Sequence, residues 1–97
     1  MLDVKENWEE IFIAEMKKLF PWCKVKGNSD LGGHDICNKG FFGGTLVCIL
    51  TAGVDYGKSY APKTVDVAVY SQKGYDMMVE FEKQNPDWTV YVKRSSY

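Results

Sequence analysis

Four side chains in this sequence offer the nitrogen and sulfur ligands that hold structural zinc: Cys23, His34, Cys37 and Cys48. Ten residues separate Cys23 from His34, two separate His34 from Cys37, and ten more precede Cys48. Four nitrogen and sulfur ligands suit a closed tetrahedral zinc site. The spacing departs from the paired knuckles in which such ligands usually come, and Cys48 lies in the apolar run "TLVCILTA", where a thiol behaves as a small hydrophobe. His34 and Cys37 could also form a nucleophile and base, but a nucleophile needs a third group to orient its base, and the sequence shows none nearby. Glycines crowd the stretch from Ser29 to Gly53. They could cradle a phosphate through backbone N–H groups. Neither a dinucleotide fingerprint nor a complete P-loop is present, because "YGKS" has Ala52 where the upstream glycine belongs. Tight turns account for these glycines more simply.

A second group of residues is suited to contact rather than catalysis. Tyr56, Lys58, Tyr60 and Lys63 cluster in one segment, and Lys93 and Arg94 sit near the other end of the chain with Tyr97. Tyrosine and cations together favour protein interfaces, and the same mixture suits single-stranded nucleic acid.

These residues must be positioned by a small frame. The chain has 97 residues, 45% of them hydrophobic, enough for one domain over residues 1–97 with one modest core. Residues 6–20 carry Trp8, Ile11, Phe12, Met16, Leu19 and Phe20 at helical spacing, with Pro21 as the stop. "WCKVKG" and "HDICN" read as short strands, "NSDLGG" and "KGFFGG" as turns, and "TLVCILTA" as a central strand buried on both faces. Residues 53–63 read as a loop. "TVDVAVYS" alternates Val65, Val67 and Val69 against Asp66, Ala68 and Tyr70, a strand with one wetter face. "GYDMMVEFEKQ" reads as a helix with Met77, Met78 and Phe81 inward, and "TVYVKR" as a last strand. The fold class expected is α+β: a small single domain in the order α-β-β-β-(β)-α-β, with helices packed on a mixed or mostly antiparallel sheet.

Net charge is −1, which gives no global pull toward nucleic acid or anionic lipid. Apolar runs are too short for a membrane span, and no export signal is visible. Three cysteines, an odd number, in such a chain read as reduced thiols in the cytoplasm.

The order of elements resembles the core of the PD-(D/E)xK nucleases, the group of restriction endonucleases and Holliday-junction resolvases. "GNSDLGGHDI" resembles the turn and aspartate of that group, and "YDMMVEFEKQNPDWTVYVKR" its closing helix and strand. The likeness spans nearly the whole chain and rests on short motifs. It implies Mg²⁺ as cofactor, with Asp35 as a metal-binding carboxylate and Glu9, Glu10 or Glu15 as the helix acid. Where the group has Glu-x-Lys, this chain reads "LVCILT", with Cys48 and Leu50 at the acid and lysine positions. Such chemistry needs a second carboxylate and a lysine. Glu80 or Glu82 and Lys73 are the residues that would have to replace them.

The reading that needs no missing group is a non-catalytic interaction module, of the kind phages and mobile elements encode to modulate or inhibit a target. It would bind a protein or a protein–nucleic acid complex through Tyr56, Lys58, Tyr60, Lys63, Lys93 and Arg94, and it needs no cofactor. The alternatives are the divergent nuclease with Asp35, Glu15, Glu80 and Lys73, and a zinc-stabilised binding domain with Cys23, His34, Cys37 and Cys48. Strand 89–94, if it lies at a sheet edge, could also pair two copies into a homodimer.

Overall fold

The computed structural model describes residues 7–28, 33–38, 44–55 and 59–95. Helix α1 spans Trp8–Leu19 and is followed by β1 (Lys24–Asn28), β2 (Gly33–Cys37), β3 (Thr45–Asp55) and β4 (Ser59–Val69). Helix α2 (Gln72–Gln84) then leads into β5 (Thr89–Arg94). The five strands form one sheet in sequence order. The first four are antiparallel to their neighbours, and β5 runs parallel to β4. This is the α+β domain with a mixed, mostly antiparallel sheet that the sequence led us to expect. Among the described residues, no helix is long and apolar enough to cross a membrane.

Local chemistry sets the helix ends. Asn7 caps α1 by accepting from the Glu10 N–H, with Glu9 and Glu10 in the first turn and Lys17 and Lys18 in the last. That charge order complements the helix dipole. Ser71 caps α2 by accepting from the Gly74 N–H. Gly74 is required there, because a Cβ at that position would fall on the Leu46 carbonyl oxygen of β3. The glycine therefore sets how closely α2 lies on the sheet.

Both helices cover the same face. Phe12 and Met16 of α1, Met78 and Phe81 of α2, and Ile36, Val47, Ile49, Val65, Val67 and Val69 of the sheet join in one core. The Phe12 and Phe81 rings meet edge to face at 5.0 Å, and Trp88 closes the group against both. β3 is the central strand, and residues 46–49 are buried, but the full burial expected for it stops there. A bulge after Ile49 leaves Leu50 39% exposed and Thr51 exposed.

Residues 53–63, expected as a loop, are strand wherever they are described: β3 continues to Asp55 and β4 begins at Ser59. Two left-handed residues, Gly53 at φ 80° and Lys63 at φ 55°, accompany this irregular part of the hairpin. At Gly53 a Cβ would approach Trp8 Cδ1 to 2.7 Å, so the glycine lets the indole lie on the strand. The turns expected at 29–32 and 39–43 lie outside the described residues.

Candidate functional site

Strand alternation sorts the candidate residues onto the two faces of the sheet. Ile36 points to the helices, so Asp35 and Cys37 point away from them. Register then aligns Lys26, Asp35, Cys48, Ala68 and Lys93 in one row across all five strands. This row crosses the face that neither helix covers. Thr45 joins it: its hydroxyl donates to Asp35 Oδ2 at 3.3 Å, and the Cys37 sulfur lies 3.9 Å from Thr45 Oγ1. Lys26, which faces Asp35 directly, and Thr45 were not candidates from sequence. The alternation of Lys24 and Lys26 in "KVK" hinted at a lysine row, but the register that sets Lys26 against Asp35 depends on the strand pairing.

Burial holds the Cys48 thiol of this cluster in its protonated form. It pushes the Cys48 thiol up to about 11, and a hydrogen bond to the Asp35 carboxylate and that carboxylate's charge push in the same direction. Tyr70, 37% exposed, is raised by burial first and by the neighbouring Cys48 and Asp35 second. The Cys23 thiol is raised by burial as well. A nucleophilic cysteine needs the opposite shift, toward the thiolate. The three cysteines are free and buried.

The zinc candidates divide between the faces. Cys23 belongs to the helix-covered core, and His34 alternates with Asp35 onto the helix side. There His34 Nδ1 approaches Glu9 Oε1 at 3.1 Å, an ion-pair distance without hydrogen-bond alignment. Cys37 and Cys48 belong to the other face. Among the described residues no three His, Cys, Asp or Glu side chains come together in a metal-holding group.

The nuclease candidates are likewise dispersed. Glu15 pairs with Lys18 at 3.1 Å on α1. Glu80 accepts from Gln84 at 2.7 Å on α2. Both helices lie across the sheet from Asp35. Lys73 donates to Asn38 Oδ1 at 2.7 Å and stands 4.4 Å over the Trp22 ring, tying the start of α2 to the segment after α1.

The contact candidates split in two. Tyr56, Lys58 and Tyr97 lie outside the described residues. Tyr60, 45% exposed, accepts a hydrogen bond from the Trp8 indole at 3.0 Å. Lys63 pairs with Asp87, whose carboxyl is held below the usual range by that lysine. Lys93 and Arg94 stand at the far end of β5. Lys93 Nζ lies 3.9 Å from Asp66 Oδ2, and Arg94 sits 4.8 Å over the Tyr75 ring. Thr64 is in register with Thr89 and Val69 with Arg94, so about five residues of strand, ~17 Å, separate the two groups.

The chain matches no protein-family model, no curated protein and no solved structure.

Proposed function

We propose that this chain is a non-catalytic interaction module that binds a protein, or a protein assembled on nucleic acid, and alters its activity. The observation that supports this most is the division of the chemically capable residues by the sheet. Asp35 stands on one face, while the helices carrying Glu15 and Glu80 cover the other, and each of those acids already has a neighbour on its own helix. Metal-assisted hydrolysis needs carboxylates converging on one ion, with a base or lysine beside the water. A binding surface has no such requirement. It needs side chains that present area and charge at low ordering cost, and Tyr60, Lys63, Lys93 and Arg94 do so along β4 and β5.

The experiment is affinity capture from the native host with the wild-type chain and two variants, Tyr60→Ala/Lys63→Ala and Lys93→Glu/Arg94→Glu. One partner held by wild type and lost from either variant supports the assignment. Equal retention by all three chains removes these residues from the interface. The nuclease resemblance predicts instead that branched or single-stranded DNA is cut with Mg²⁺ or Mn²⁺ and that Asp35→Ala abolishes the cutting.

A further inference from the structure

The two edges of the sheet are not equivalent. β1 carries Lys24 and Lys26 on the same face, both exposed. Two copies of β1 laid antiparallel about Val25 or Lys26 would set lysine against lysine, which is how proteins keep an edge from pairing. A β1–β5 contact between copies would set those lysines against the strand that holds Lys93 and Arg94. It would also be heterologous, so it would generate rings or open filaments rather than a two-fold dimer.

β5 behaves differently. The Ser95 N–H donates to the Val69 carbonyl at 2.8 Å. Strand alternation then turns the N–H and C=O groups of Tyr91 and Lys93 toward β4, and those of Val90 and Val92 away from it. No described strand lies on that side. Val90, Tyr91 and Val92 are all part-exposed.

We infer that β5 pairs with β5 of a second copy, antiparallel and two-fold about Val92, to form one continuous sheet across a symmetric homodimer. Two requirements and one added contact favour this register. The backbone groups that face outward must meet one another, which they do when Val92 faces Val92 of the second copy and Val90 faces Arg94 of the second copy. Like charges must not meet, and here Tyr91 stands opposite Lys93 of the second copy, in the close type of antiparallel pair. That places a cation beside an aromatic ring rather than beside another cation. A register centred on Lys93 also lets the outward groups meet but opposes Lys93 to itself, and one centred on Tyr91 sets Lys93 opposite Thr89 and forgoes the contact between cation and ring.

The dimer would also bring the Lys63 end of one copy toward the Arg94 end of the other, joining groups that stand apart in a single chain. The inference stands on the sheet edge alone and does not depend on the proposed function.

Sedimentation velocity over a concentration series, with the intact chain, tests it first. The expected result is a reversible monomer–dimer equilibrium; a monomer at every concentration up to about 1 mM overturns the inference. Disulfide trapping tests the register. Val92→Cys is expected to form a covalent dimer under mild oxidant, because facing residues of this pair type lie about 5.5 Å apart at Cα, within disulfide reach. Val90→Cys is expected not to, because the two copies of that position are offset by about four residues, ~13 Å. Equal trapping at both positions overturns the register. Val92→Pro removes the central outward N–H but leaves the ladder to β4 intact. It is expected to weaken the dimer by roughly tenfold or more while circular dichroism stays unchanged. A folded Val92→Pro chain that dimerises as well as wild type contradicts the inference.

Discussion

The two faces of this sheet are built from different chemistry. The helix-covered face presents Ile36, Val47, Ile49, Val65, Val67 and Val69, all at most 1% exposed, against Phe12, Met16, Met78 and Phe81. The other face presents, in the same strands, Asp35, Cys37, Thr45, Cys48, Asp66 and Ala68, with Tyr70 just after β4. The first is apolar side chain on apolar side chain, where stability scales with area and fit. The second is small or polar groups joined by hydrogen bonds, where each contact is worth little and the groups keep their chemical character. Asp35, the aspartate expected to bind metal, lies on the second face opposite Cys48. Every helix acid lies on elements that pack on the first. An α-β-β-β-β-α-β order of elements does not by itself bring acids together.

The largest effect expected is on the covered face. Phe81→Ala removes a fully buried ring that touches both Phe12 and Trp88, and it is expected to cost about 3–5 kcal/mol in chemical denaturation. A double-mutant cycle with Phe12→Ala is expected to show coupling of about 0.5–1.5 kcal/mol, the edge-to-face share. A loss below about 1 kcal/mol for Phe81→Ala would break the contrast between the faces.

A smaller effect is expected on the other face, and it depends on pH. The folded state holds the Cys48 proton to about 11, whereas an unfolded thiol releases it near 9. Its contribution is therefore fully present below pH 9 and is lost as pH rises from 9 to 11. The loss is roughly 2–3 kcal/mol at the upper end. Urea midpoints measured across that window should fall for wild type and fall less for Cys48→Ala. Identical slopes would show that Cys48 is not shielded as described.

Gly74→Ala tests the contact between α2 and β3. The added methyl meets the Leu46 backbone, so a loss of about 1–3 kcal/mol is expected in place of the usual gain from glycine to alanine in a helix. The smallest effect concerns Asp87, whose carboxyl is held low by Lys63. Its stabilisation is present above the ordinary carboxylate range and is lost as pH falls through the depressed value. Wild type and Asp87→Asn should therefore converge in thermal midpoint at acid pH and differ slightly at neutral pH.

Much of this was legible in the sequence, because periodicity reports which side of an element is buried. The valines of "TVDVAVYS", the helical spacing of Phe12 and Met16, and the inward Met77, Met78 and Phe81 all appear as the pattern demands. The register was not legible. The bulge between Ile36 and Cys37 and the one after Ile49 each shift pairing by a residue, and no composition signal marks them. The first of these bulges brings Thr45 beside Asp35, whereas the pairing of Lys26 with Asp35 and the separation of Lys63 from Lys93 and Arg94 follow from regular ladders whose register no residue pattern states. The extended hairpin through 53–55 and 59–63 was hidden for a related reason. Glycine, proline and tyrosine there resemble loop composition, while the strand is maintained by backbone pairing that composition does not encode.

Asp35 belongs to a hydrogen-bonded sheet face apart from the helix acids, and under the proposed function it does not serve as a catalytic carboxylate. The most direct measurement is cleavage of branched and single-stranded DNA by wild type and Asp35→Ala, side by side, with Mg²⁺ and with Mn²⁺. The expected result is no metal-dependent cleavage above background in either chain and a stability loss below about 1 kcal/mol for Asp35→Ala. Cleavage by wild type that Asp35→Ala abolishes, in a variant that remains folded, would contradict it.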